Sequence, residues 1–383
     1  MKKKKAPLVR RMKEFVKTSV VWGPLDHNLF FTIIFLNVYG IIMVYSASYN
    51  NSITKNYSYF MNNQLKNVIF GFVIMIVASY VNYHRIVRLG WGWFWLLAAV
   101  AIIAALKTPL AHSELGATRW IKLGPVSFQA AEPIKAAIII FFAYYVSYWG
   151  LNRWYNQVLA CLLAIALLGF LFFFSNNLST VIVLFCICAV IILSSVKKPD
   201  LYWYLLLGLA LIIIAAIFVT VYLLMHQGAE NFRFVRIRAW LHPEEYAADE
   251  GLQAMQARYA IGAGGFWGKG LGQSLIKFKL SYSYNDFILA IICEELGVFG
   301  VIVMMTLFGY LLYRIYKIAQ NAWDIEGKVL AIGVFTQIAL QLLINVMVVT
   351  SVIPTTGVTL PFFSAGGTSV VFLLAELGMV LNV

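Results

Sequence analysis

Apolar runs close to 20 residues long recur from one end of the chain to the other, separated by short polar stretches. Most are apolar on every side rather than alternating, so they predict helices whose solvent is lipid rather than half-buried strands. Ten spans are predicted, at about 28–47, 65–82, 91–106, 134–149, 157–174, 180–196, 201–225, 286–313, 329–350 and 370–383. The third and fourth are short for a hydrocarbon layer of about 30 Å, so each is expected to borrow flanking residues. The expected architecture is an all-α polytopic membrane protein: a tail over 1–27 and a single transmembrane domain over 28–383.

Composition agrees. Of the 383 residues 62% are hydrophobic and 12% charged, against about 25% charged in a soluble chain. That excludes a soluble enzyme, a secreted disulfide scaffold and a disordered protein. The net charge of +13 would point to nucleic acid in a soluble protein, but eight of the 29 basic residues precede the first apolar run. A cytoplasmic tail beside anionic lipid accounts for them, and no nucleic acid is needed. With the N-terminus inside, sixteen basic residues fall on the cytoplasmic side, and the short outer segments hold Lys55, Lys66, Lys107, Arg119 and Lys122. Both termini are therefore expected in the cytoplasm. The outer face then carries 107–133, a large extracellular loop over about 226–285 between spans 7 and 8, and 351–369. Charged and aromatic residues interleave in the large loop (Arg233, Arg236, Arg238, Trp240, Tyr246, Tyr259), a pattern that suits amphipathic helices at a membrane surface and equally an ordinary solvated loop.

The four cysteines lie inside apolar runs and read as small buried hydrophobes, and the five histidines form no zinc-binding spacing. No metal centre is expected. Chemistry must come from the few ionisable residues near the membrane, each expensive there and so a candidate by default. Glu132 and Lys135 stand at the mouth of the fourth span; Pro133 suits a first helical position, which would put Glu132 at the cap and the two on one face, able to pair. Asp286 sits where the large loop meets the eighth span and can cap a helix or serve as a general base. Glu294 and Glu295, roughly 12 Å further along, and Glu376 in the last span are better explained as partners of other buried polar groups. Of two glycine-rich stretches, 262–272 lacks the spacing of a phosphate-binding loop. The other, Pro361 to Ser369, can hold irregular backbone at membrane depth or form a plain turn.

Taken together, four segments resemble the SEDS family (shape, elongation, division and sporulation): Gly116–Ile121 with Gln129–Lys135; Gly264–Gly272; Asn285–Ile288 with Glu294–Gly297; and Pro354–Gly357 with Leu360–Thr368. The family pattern is altered at Thr118, Ala130, Ala131, Asn177 and Ala365, while Glu132, Lys135 and Asp286 are retained. The resemblance implies a peptidoglycan glycosyltransferase that polymerises lipid II at the outer face of the bacterial cytoplasmic membrane. It implies Asp286 as the catalytic base, since a positioned carboxylate taking a sugar hydroxyl's proton is worth about 10²–10⁴-fold. Arg119, Lys122, Glu132, Lys135, Ser364, Gly366 and Gly367 are the substrate-binding candidates, the cations facing the leaving pyrophosphate. A divalent cation (magnesium or manganese) can share that work, although no ligand cluster in the sequence demands one. The implied partners are a class B penicillin-binding protein, which supplies transpeptidation, and other divisome proteins at the septum. The division branch is expected over the elongation branch. A lipid II flippase and a non-catalytic division scaffold are the alternatives from other classes.

Overall fold

A computed structural model describes residues 25–48, 59–109, 111–114, 117–123, 126–175, 177–196, 232–246, 250–278, 285–365 and 367–383. Helices stand at nine of the ten expected spans: α1 (His27–Ser48), α2 (Tyr59–Tyr80), the short α3 (Tyr83–Val87), α4 (Trp93–Ala105), α5 (Ala131–Trp149), α6 (Trp154–Ser175) and α7 (Leu178–Ser195) in the first half. The second half holds α8 (Phe232–Leu241) and α9 (Glu250–Gly264) in the large loop, then α10 (Ile288–Asn321), α11 (Ile325–Val349) and α12 (Thr368–Leu381). The expected span at 201–225 and the basic tail to residue 24 lie outside the described residues.

Six of these helices are long and apolar enough to cross a bilayer, and α4 and α12 are shorter apolar helices. Large apolar side chains point outward along them, among them Phe35 and Phe70, Leu97, Leu162 and Phe173. Only lipid accepts so much exposed hydrocarbon, so the chain is a multi-pass membrane protein. The centre is α5, whose residues from Ile138 to Val146 are buried without interruption. The fourth span does borrow flanking residues, reaching 19, whereas the third stays at 13.

The all-α expectation needs one correction. Residues of the first outer segment form a three-stranded antiparallel sheet, β1 (Ala111–Glu114), β2 (Ala117–Leu123) and β3 (Val126–Gln129), in the order β1-β2-β3. The β1–β2 register passes from His112↔Trp120 to Ser113↔Thr118, leaving Arg119 as the extra residue of a bulge. β3 runs almost directly into α5, so the sheet fixes where that helix begins.

Two breaks in regular structure hold the bundle together. α10 is interrupted at Gly297 (φ 64°, ψ −163°), a backbone region essentially confined to glycine. Into that break fits the glycine-rich stretch after α9: Lys269 and Gly270 donate to the carbonyls of Glu294 and Glu295 (both 2.9 Å), while Val298 and Phe299 donate to those of Gly265 and Phe266 (both 3.1 Å). The loop thus completes the helix hydrogen bonds that the kink removes, which is how irregular backbone survives at membrane depth. The second break, Leu360–Ser364, is buried against α1.

The polar ends of the helices gather into two layers. One collects Asp26, Ser79, Tyr83, His84, Arg88, Ser147, Arg314, Asp324, Glu326 and Asn382, linked by hydrogen bonds across the bundle. The other collects the sheet, the glycine-rich loop and the segments after α11.

Candidate functional site

The second layer contains a cleft of about 380 Å³ lined by Gln129, Ala131, Glu132, Lys135, Asn177, Ser179, Thr180, Val183, Gln341 and Thr356–Thr359. Its floor is the first turn of α5. That helix starts at Ala131, so Glu132 lies inside the first turn and not at the cap as expected; Ala130 occupies the cap position and supplies no side-chain bond. Pro133 is accommodated because the first-turn N–H groups have no intrahelical partner in any case. Both Glu132 and Lys135 are buried, and Lys135 Nζ lies 2.9 Å from the Glu132 carboxylate. The expected pairing is present, and the helix N-terminus adds favourable potential for the carboxylate.

The walls are fixed by capping and by a bridge. Asn177 caps α7, accepting from Thr180 N–H, and Ser179 donates to the Thr356 carbonyl at 2.9 Å. Asn345 of α11 donates to the carbonyls of Asp286 and Val358, both at 2.9 Å, which ties the main chain of Asp286 to a residue of the cleft wall. Asp286 is half-buried and precedes α10 by two residues; the cap position there is Phe287. Thr356 Oγ1 in the wall and Asn285 Oδ1 beside Asp286 are buried with no hydrogen-bond partner among the described residues. Buried orphans of this kind are uncommon and suit a bound polar molecule. A small adjoining void shares Gln129, Ala131, Asn177 and Thr180 and adds Leu106, Ala130, Ile134, Leu171 and Ser175.

The other expected site residues fall as follows. Lys122 is exposed on β2, opposite Ser127. The Arg119 side chain and Gly366 lie outside the described residues, and Gly367 precedes α12 at φ 55°. Ser364 is buried, and its hydroxyl accepts from Leu360 N–H at 2.7 Å and donates to the Asn285 carbonyl at 2.8 Å. It braces the loop against the residue before Asp286. Glu294 and Glu295 have the buried polar partners expected of them. Glu294 takes Lys269 (2.7 Å), Ser274 and the N–H groups of Leu275 and Ile276; Glu295 takes Ser46, Ser274 N–H and Lys277. Glu376 accepts from Gln337 at 2.8 Å.

Among the described residues, no cluster of carboxylates lines the cleft. Its described carboxylate is Glu132, already held by Lys135. Sequence reasoning missed Asn345 and Gln341, polar residues that show in the sequence only as isolated interruptions of an apolar helix.

Fold and cleft together define a polytopic helical membrane protein with a charged cleft at one end of its bundle. The model of the FtsW/RodA/SpoVE family, described as a cell cycle protein, matches residues 26–383, and the chain belongs to that family. It is 32% identical to the probable peptidoglycan glycosyltransferase FtsW of Trichlorobacter lovleyi, over 97% of this chain and 96% of that one. It is 31% identical to the protein of the same name from Bacillus subtilis, over 94% and 90% of the two chains. With the stage V sporulation protein E of Bacillus subtilis it shares 33% identity over 92% and 94%. Among solved structures it resembles a chain from a study of polymerization and crosslinking by a peptidoglycan synthase complex, with TM-score 0.77 and 23% identity over 94% and 98% of the chains. It also resembles the rod shape determining protein RodA of Thermus thermophilus, with TM-score 0.67 and 22% identity over 94% and 97%. The two structures establish the fold.

Proposed function

We propose that this chain is a peptidoglycan glycosyltransferase that polymerises lipid II at the outer face of the cytoplasmic membrane, in septal wall synthesis. The observation that carries the reading is the buried Glu132–Lys135 pair on the floor of a cleft, with Asn345 bridging the carbonyls of Asp286 and of the wall residue Val358. Relatives named as probable peptidoglycan glycosyltransferases over nearly the whole chain support it.

The reaction joins a sugar 4-hydroxyl to an anomeric carbon while undecaprenyl pyrophosphate leaves. Asp286 takes the hydroxyl proton as the new bond forms, because the hydroxyl is too weak an acid to ionise by itself. Lys135, with Lys122 and Arg119 on the hairpin above, stabilises the negative charge that collects on the pyrophosphate. Glu132 orients the Lys135 ammonium in the buried floor. A magnesium or manganese ion sharing the pyrophosphate charge would find Glu132 as the described carboxylate of the cleft, and the roles of Asp286 and Lys135 are the same with or without it.

The cleft layer faces outward, and the layer of Asp26, His84, Arg314 and Asp324 faces the cytoplasm, as the distribution of Lys and Arg predicts. A class B penicillin-binding protein supplies cross-linking; a solved relative comes from a study of a synthase complex that does both jobs. Purified chain with that partner and lipid II is expected to give glycan strands. Cross-linked, penicillin-sensitive product from the chain alone, or no strands with the partner present, would refute the reading. Depletion in cells decides the branch: filaments mean division, rounded cells mean elongation.

A further inference from the structure

The polar layer at the opposite end of the bundle contains a convergence that the polymerase reading leaves unused. Glu132 and Ser147 are fifteen residues apart on α5, which puts this layer about 22 Å from the cleft floor. Here His84 of α3 meets Asp324 and Glu326 at the start of α11. His84 Nδ1 lies 2.6 Å from Glu326 Oε2 and 3.6 Å from Asp324 Oδ2. One ligating atom from each of the three lies within 4.8 Å of the others.

The remaining carboxylate oxygens are already occupied. Asp324 Oδ1 accepts from Tyr83 Oη at 2.6 Å and from Gly327 N–H at 3.1 Å, the latter capping α11. Glu326 Oε1 accepts from Arg88 Nε at 2.8 Å and from Ser147 Oγ at 3.1 Å. Each carboxylate is thus braced through one oxygen, and its other oxygen is turned toward His84. A helix cap explains the braced oxygens; a proton held between His84 and the two carboxylates is the competing account of the other three atoms, and metal binding decides between the two. Outer partners that fix ligand orientation are what a metal site requires.

We propose that His84 Nδ1, Asp324 Oδ2 and Glu326 Oε2 bind a single zinc ion, which fastens the α2–α4 connection to the N-terminus of α11. One imidazole and two carboxylates suit zinc, and three protein ligands leave a fourth position for water. Tetrahedral bonds of about 2.0–2.1 Å put ligand atoms about 3.3 Å apart. The 3.6 Å separation already fits, and the 2.6 Å contact needs to open by less than 1 Å as metal replaces the hydrogen bond. Nδ1 then carries a lone pair and Nε2 the ring proton, so a proton on Nδ1 passes to solvent or to Nε2. The His84 and Asp324 side chains are 34% and 24% exposed and Glu326 only 3%, so the ion can enter from one side and is backed by Glu326.

The test uses full-length, tag-free chain in detergent, stripped with chelator, then titrated with zinc and separately with magnesium while stoichiometry and thermal stability are read. One equivalent of zinc is expected to bind and raise the melting temperature, and magnesium at the same concentration is not. His84→Ala should weaken zinc by more than the roughly 10–100-fold that outer partners are worth. Asp324→Asn should do the same while keeping its cap, since Asn caps as well as Asp, and a cooperative apo melting transition shows that it folds. Zinc binding unchanged by both substitutions, lost equally in the control His242→Ala, or matched by magnesium would overturn the site.

Discussion

Replacing Lys135 by Met separates the two jobs of the buried pair. Lys135 and Glu132 are 3% and 4% exposed and 2.9 Å apart. Methionine keeps most of the side-chain volume but leaves the Glu132 carboxylate buried without its cation. Glu376 lies within electrostatic reach of the same pair, so the variant gathers two acids around a site that has lost its positive charge. Removing one partner of such a pair costs about 3–5 kcal/mol, whereas replacing both by neutral groups of similar size is often close to neutral. The expected result is therefore a large loss of thermal stability in Lys135→Met and its recovery in the double variant Glu132→Gln/Lys135→Met. Polymerisation behaves differently: if Lys135 neutralises the pyrophosphate, both variants stay poor in rate and in lipid II affinity. Melting temperature, lipid II binding and strand formation measured on the three proteins together distinguish the roles. A double variant that polymerises at the wild-type rate would refute the substrate role of Lys135. A single variant as stable as wild type would refute the account of the buried pair.

Asp286→Asn keeps shape and hydrogen bonding but removes proton acceptance, so turnover should fall by at least about 10²-fold with lipid II affinity nearly unchanged; full activity would return this carboxylate to a structural role. Gly297→Ala places a methyl group 2.4 Å from Gly268 N and 2.5 Å from the Phe266 carbonyl at φ +64°. It should destabilise by more than the about 1–3 kcal/mol of the strained backbone alone, and a wild-type melting curve would show that the loop does not sit in the kink. Trp240→Phe removes the indole donor to the Ser351 carbonyl at 2.8 Å and should cost about 1 kcal/mol, seen as earlier hydrogen exchange in α8 with no change in the melting of the bundle core.

The helices were legible because lipid imposes a length and an all-round apolar surface on any segment that crosses it. The sheet was not, although its signals are present: Gly124-Pro125 marks a turn, and Ile121, buried, alternates with Lys122, exposed. Strands of four to seven residues are easily passed over beside spans several times longer. Pro133 suits a first helical position, but α5 starts two residues earlier at Ala131, because a proline is tolerated throughout a first turn whose N–H groups have no intrahelical partner. The His84–Asp324–Glu326 convergence had no local signature at all, since some 240 residues separate the histidine from the acids.

Intramembrane acids are where sequence and structure together say more than either. Read along the chain, Glu294, Glu295 and Asp286 are three carboxylates on one span, each a candidate by cost alone. In the fold, the glycine loop that enters the Gly297 break brings Lys269, Ser274 and Lys277 onto the glutamates, and four donors converge on Glu294. Such a carboxylate is consumed by the fold: every strong donor near it is already committed, and substrate would have to displace a buried network. Gly268 can approach the Glu295 carbonyl only because it lacks a Cβ, which would lie 2.2 Å from that oxygen. The same loop that supplies the donors is therefore the one that makes the break possible, so kink, glycines and glutamates form one structural device. Asp286 stands before the helix begins, and Asn345 bridges its carbonyl to that of Val358 in the cleft wall. The main chain of Asp286 is thus tied to the cleft while the two glutamates are tied to the glycine loop, and this placement is what supports proposing Asp286 for the proton transfer.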